Sequence, residues 1–118
     1  MNKKYIKKSV GFYDDKISPY KIFVKDILYI EFIDRKSIVH ALDGKTTVTN
    51  CTLKYWYEKL KEYGFGYPYK AYLVNFEYIS AFKKNEIILV NNDVIPLSRH
   101  YKKEFDQKYN DFLQDMLW

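Results

Sequence analysis

Cysteine is nearly absent: Cys51 stands alone, so no internal disulfide can form and the chain suits a reducing compartment. Histidine occurs twice, as His40 and His100, and neither has a second His, Cys or carboxylate at a metal-ligand spacing. There is no Gly-rich phosphate loop and no Gly-x-Ser-x-Gly elbow, and no nucleophile signature surrounds Cys51. A paired-carboxylate site can draw its members from distant strands, but no pair stands out. These absences leave no catalytic residue, metal site or cofactor to expect, and the chain does not read as an enzyme. Apolar runs such as 27–30 and 87–90 fall far short of the about 20 residues that span a bilayer. The start, Met1 to Lys8, is rich in lysine but has no apolar stretch behind it, so it is not a secretory signal. The cytoplasm is the default. Glycine and proline are also few, four and three residues, and form no linker within residues 20–118. One domain is expected there, behind a basic N-terminal extension over residues 1–19.

What is present suits a globular domain: 118 residues, 47% hydrophobic and 30% charged. At this size folding buries roughly two thirds of the chain's surface, enough for a core without metals or disulfides. The net charge of +5 is unevenly spread, because residues 104–118 carry −3 and residues 1–103 therefore carry +8. A basic body attracts phosphate-bearing partners over a distance, although the same balance also serves plain solubility. Lysine outnumbers arginine 18 to 2, which reads as the codon bias of an AT-rich bacterial genome or its phage.

Residues 20–24 alternate as a strand does. Segments 29–33 and 37–42 are β-branched or aromatic and end at Asp43-Gly44, a strong hairpin turn, with Lys45 to Thr49 as the return strand. From Thr52 the period becomes helical through Leu53, Trp56, Leu60 and Tyr63, and Gly64 sits where a glycine would close a helix over about 52–63. Further strands are expected at 69–74, 79–83, 86–90 and 94–97, with a turn at Asn91-Asn92-Asp93. Ser98 is a candidate cap for a last helix, in which Tyr101, Phe105, Tyr109, Phe112, Leu113 and Met116 form one apolar stripe. The fold class is mostly β with two helices.

A weak internal repeat runs through this plan. Asp26-Ile27-Leu28-Tyr29-Ile30 parallels Asn75-Phe76-Glu77-Tyr78-Ile79, each an Asx able to cap a short turn, followed by Tyr-Ile entering a strand. The loops that follow, Asp34-Arg35-Lys36-Ser37 and Lys83-Lys84-Asn85, put basic residues at equivalent hairpin tips. Of the thirteen tyrosines, most fall at core-patterned positions. Tyr67 and Tyr69, flanking Pro68 and preceding Lys70, are better placed for contact, because Pro68 keeps that segment out of a central ladder. Interleaved basic and aromatic residues can also stack on single-stranded bases, so a β-rich module binding a protein or single-stranded nucleic acid through a Tyr-rich basic surface stands as the alternative reading.

The run Tyr69-Lys70-Ala71-Tyr72-Leu73-Val74-Asn75-Phe76-Glu77-Tyr78-Ile79, then Val94-Ile95-Pro96-Leu97-Ser98-Arg99 and Lys102-Lys103, resembles the LytTR family of bacterial DNA-binding domains. Ile27-Leu28-Tyr29-Ile30-Glu31 matches the family's first signature, and together these cover roughly residues 20–113. The resemblance implies an elongated stack of antiparallel β-sheets that binds double-stranded promoter DNA carrying direct repeats. Loops, rather than a recognition helix, then enter successive major grooves. Carried over, the family's base-reading positions fall on Lys36 or Ser37, on Lys70 and on Arg99. Here Tyr69-Lys70-Ala71 replaces the usual His-Arg-Ser or His-Asn-Ser. Phosphate contacts are expected from Arg35, Lys83 and Lys84 at the hairpin tips, from Tyr69, and from Ser98, His100, Lys102 and Lys103 at the start of the last helix. Implied partners are the DNA itself, a second copy on it, and a membrane-bound or other protein inhibitor. The chain reads as a free-standing regulator, or else as the C-terminal half of a response regulator; the numbering from Met1 and the Lys-rich start favour the first.

Overall fold

The computed structural model of the chain describes residues 11–12 and 21–117. Among the described residues, ten strands and two α-helices follow one another in two similar halves. A short ribbon comes first, β1 (Gly11–Phe12) with β2 (Ile22–Phe23). Then come β3 (Ile27–Ile33), β4 (Lys36–Ala41), β5 (Thr46–Thr49) and α1 (Leu53–Leu60). The second half has β6 (Phe65–Tyr69), β7 (Tyr72–Asn75), β8 (Ile79–Lys83), β9 (Glu86–Leu89), β10 (Val94–Pro96) and α2 (Arg99–Met116). All pairings are antiparallel, in a five-stranded sheet of order β5-β4-β3-β7-β6 and a three-stranded sheet of order β10-β9-β8.

The five-stranded sheet is the middle layer. Ile30, Val39 and Leu73 on one face pack against Trp56 and Leu60 of α1. A bulge between Ile27 and Tyr29 lets β3 also feed Leu28 and Tyr29 to the opposite core, where Val74 meets Ile87, Leu89, Phe105 and Phe112 of the smaller sheet and α2. Gly66 admits the Phe76 ring, because a Cβ there would lie 2.7 Å from Phe76 Cζ. Each apolar cluster thus needs residues from both halves of the chain.

Local signals decide most element ends. Thr52 Oγ1 accepts from the Tyr55 N–H at 3.1 Å and starts α1. Gly64, at φ 89°, closes a 3₁₀ turn over Lys61–Tyr63, so the expected helix 52–63 is α-helical only to Leu60. Of the expected strand 20–24 only Ile22–Phe23 is extended, because Val24–Asp26 forms a 3₁₀ turn that buries Val24. The expected strand 69–74 is two strands: Lys70-Ala71 is a tight turn, and Tyr69 pairs directly with Tyr72. Pro68 lies on β6, an edge strand, as a proline requires. The apolar stripe of α2 is shorter than its sequence pattern, since Leu113 and Met116 are exposed while Phe105 and Phe112 are buried.

The repeat is real in its element order, which runs 3₁₀ turn, hairpin, return strand, helix in both halves. Its register is corrected by three residues: Val24–Asp26 corresponds to Phe76–Tyr78, and Ile27 to Ile79. Asp26 therefore ends its turn, whereas Asn75 caps its own by accepting from the Glu77 N–H at 3.1 Å.

Candidate nucleic-acid interface

Three backbone hydrogen bonds between sequence-distant loops assemble the candidate surface. The Phe32 N–H donates to Ala71 O at 2.9 Å, tying the end of β3 to the β6–β7 turn. The Ser98 N–H donates to Pro68 O at 2.8 Å, tying that turn to the start of α2. The Leu97 N–H donates to Asn85 O at 2.8 Å, bringing in the β8–β9 tip. Four turns thereby adjoin in the order β3–β4, β6–β7, β10–α2, β8–β9, and each presents a cation. Arg35, Lys36, Lys70, Lys84 and Arg99 are exposed, and among the described residues none of them forms an ion pair.

Ser37 does not belong to this surface. It is fully buried, and its hydroxyl donates to Cys51 O at 2.6 Å, tying β4 to the approach to α1. The strand alternation that exposes Lys36 turns Ser37 inward. Lys36 is the first residue of β4, paired with Ile33, and Asp34 and Arg35 form the two-residue apex. Tyr69 is half-buried, its ring 6.4 Å from that of Tyr72. Lys83 is exposed in the last position of β8.

At α2 most orphan donors are already satisfied. Ser98 Oγ accepts from the His100 N–H at 3.2 Å, and Ser98 O accepts from the Tyr101 and Lys102 N–H groups. Of the expected phosphate-site donors this leaves the Arg99 N–H, the Ser98 hydroxyl proton and the side chains of Arg99, His100 and Lys103. Lys102 is held by Asp106 at 2.9 Å, so part of its charge is spent within the helix.

Most tyrosines are structural. Tyr67, expected as a contact, is half-buried with its ring 5.0 Å from Tyr57, and burial first, then Tyr57, Tyr101 and Glu58, push its phenol up to about 12. Burial, Glu77 and Asp26 push Tyr78 to about 12, and its hydroxyl donates to Lys25 O. Tyr29 lies further above its ordinary value, through burial and then Asp93, to which its hydroxyl donates at 3.2 Å. All three remain neutral donors. Sequence spacing missed a cross-strand pair: His40 Nε2 meets Glu31 Oε1 at 2.8 Å, and the imidazole stacks on Tyr29 with ring centres 4.2 Å apart. Alternation on β3 and β4 could have revealed it, since Tyr29 and His40 are direct partners. Among the described residues no three His, Cys, Asp or Glu side chains gather as a metal site. No described helix is long and apolar enough to cross a membrane.

A sequence model of the LytTr DNA-binding domain matches residues 18–110. The chain belongs to the LytTR family. LytTR is a family of DNA-binding domains. Among solved structures, the LytTR fold seen here is similar to the LytTr DNA-binding domain of a Bacillus cereus protein described as a methyl-accepting/DNA response regulator. The TM-score is 0.66 at 21% identity, over 84% of this chain and 94% of that one. No curated protein matches the chain.

Proposed function

We propose that this LytTR domain is a transcription regulator that binds double-stranded promoter DNA with direct repeats, its turns inserted into successive major grooves. The row of unpaired cations on four hydrogen-bonded turns carries this reading. Unpaired lysines and arginines release counterions from a phosphate backbone, whereas paired ones gain little. Backbone-to-backbone ties hold the turns at fixed separation, so their side chains meet the duplex with little ordering left to do. Lys70 and Arg99 read base edges, Arg99 through the fork that fits guanine O6 and N7. Lys83, Lys84, Lys103, His100 and the Ser98 hydroxyl contact phosphates. A second copy occupies the neighbouring repeat, and a protein inhibitor, membrane-bound or otherwise, is the class of partner that would limit access. The Tyr-rich alternative is weaker, because Tyr29, Tyr57 and Tyr67 spend their ring faces on one another and on His40.

Selection from random genomic fragments, followed by mobility shifts with duplex and single-stranded competitors at several salt concentrations, tests the reading. A recovered motif in two copies, affinity falling steeply with salt and poor competition by single strands are expected. Equal competition by single strands would sink it.

A further inference from the structure

The two halves repeat more closely than their element order alone requires. At the offset that matches the 3₁₀ turn Val24–Asp26 to Phe76–Tyr78, the bulge between Ile27 and Tyr29 on β3 falls on the bulge between Ile79 and Ala81 on β8. The same offset sets Ile22 on Val74. Ile22 packs against the cluster that holds Trp56 and Leu60 of α1, and Val74 against the one that holds Phe105 and Phe112 of α2. The ribbon β1-β2 is therefore the counterpart of β6-β7, and the sheet β10-β9-β8 is the counterpart of β5-β4-β3. In the middle layer the two kinds of unit join, because β7 pairs with β3 through Tyr29 with Val74 and Ile30 with Leu73. In the outer layers they do not: among the described residues β8 pairs only with β9, and β2 only with β1.

Both open surfaces look like halves of the same joint. Ser80 to Lys83 on β8 are exposed, whereas Ile27 to Ile30 on β3 are buried. Edge strands are ordinarily guarded by charge or proline, and β8 has neither before Lys83. Beside β2 lies a cavity of about 300 Å³, lined by Ile22, Phe23, Ile27, Val39 and Ala41 among others. Val39 and Ala41 are the counterparts of Ile87 and Leu89, which in the second half pack under Leu28 and Tyr29 of β3. The strand that would roof the cavity is thus the counterpart of β3, which is β8, and the chain's own β8 lies on the opposite side of the five-stranded sheet. Across the outer face of the smaller sheet, Ala81, Ile88 and Val94 form one apolar row, with Val94 52% exposed.

We propose that a second copy of this chain docks head to tail, its β8 adding to β2, so that β10-β9-β8 of one copy and β2-β1 of the next form a five-stranded sheet over the cavity. The pairing of β3 with β7 sets its register, which places Ala81 of one copy opposite Ile22 of the next. The two copies use different surfaces, so they point the same way, as direct repeats on DNA require. The inference gives the second copy of the proposed function a contact surface, but it rests on strand order alone, and its test contains no DNA, so its failure leaves that reading standing.

The test uses the whole chain. Ala81→Cys and Ile22→Cys, made separately, checked for folding by melting temperature, then mixed and oxidised, should give a disulfide-linked dimer, because directly opposed strand residues lie within disulfide reach. Each alone should stay unlinked, and the double variant should give a ladder of longer species. In sedimentation at rising concentration, the wild type should grow beyond a dimer, and Ala81→Lys, which sets a charge on the edge, should lose that growth. Ala81→Cys linking to itself as readily as to Ile22→Cys would place two β8 edges together and overturn the head-to-tail order. Association unchanged in Ala81→Lys would overturn β8 as the surface. A wild type that stays monomeric at millimolar concentration would overturn the docking itself.

Discussion

Asn75 joins the two halves of the chain and offers the most direct stability test. It is fully buried at the end of β7. Its Nδ2 donates to Ile27 O, 48 residues away, at 2.9 Å, and its Oδ1 accepts from the Glu77 N–H at 3.1 Å. Asn75→Asp keeps the size and the cap but puts an acceptor where the donor was, facing the Ile27 carbonyl. Losing the hydrogen bond forfeits about 1 kcal/mol, and leaving the carbonyl unmatched adds about 1–3 kcal/mol. The sum, about 2–4 kcal/mol, corresponds to a melting temperature lowered by roughly 8–16 °C in a domain of this length. The acid side discriminates further. The introduced carboxyl, buried and facing a carbonyl oxygen, holds its proton in the folded state at pH values where the unfolded chain has released it. The folded state then binds more protons, so the variant's deficit should shrink as pH falls from 7 towards 4. Asn75→Ala has no proton to regain and should keep its deficit across that range. Thermal unfolding of the three proteins at both pH values, each variant taken as a difference from wild type, supplies the measurement. Equal stability of Asn75→Asp and wild type at pH 7 would refute the reasoning, since the donor to Ile27 would then hold nothing.

Gly64→Ala should destabilise by about 2–4 kcal/mol, because it forces a side chain at φ 89° and sets a Cβ 2.6 Å from the Phe112 ring; denaturant unfolding checks it, and a change below about 1 kcal/mol would show that the ring moves aside freely. Stability should be flat from pH 7 to 9 and fall from pH 10 through 12, where the unfolded chain releases phenol protons near the ordinary 10 while Tyr67 and Tyr78, raised to about 12, keep theirs. Phenolate absorbance and melting temperature followed together test this, and all thirteen phenols titrating near pH 10 would contradict it. Arg99→Ala should lose about 1–3 kcal/mol of binding and relax preference at one motif position, whereas Lys102→Ala should weaken all duplexes alike and lower the salt slope by at most about one unit. Lys102 already shares its charge with Asp106, and a uniform loss for Arg99→Ala would move Arg99 to the phosphate contacts.

Short-range chemistry was legible in the order of residues. Ser98 and Thr52 cap helices because a hydroxyl two or three residues before an N–H reaches it whatever else the chain does. Asn92 at φ 72° and Gly64 at φ 89° turn the chain where an Asn-rich and a Gly signal predict it. The two-helix, mostly β class and the repeated element order follow from periodicity, and the LytTR motifs located the turns. Register and partner choice were not legible. Ser37 points inward because Val39 and Ile30 must, and no property of the loop Asp34-Arg35-Lys36-Ser37 alone says which face is buried. The split at Lys70-Ala71 depends on β7 finding β3 some forty residues upstream. The row of cationic turns likewise exists only through Phe32 with Ala71, Pro68 with Ser98 and Asn85 with Leu97. Backbone donors and acceptors are alike at every residue but proline, so sequence marks where a turn forms, while only packing of the two cores decides which turns stand side by side.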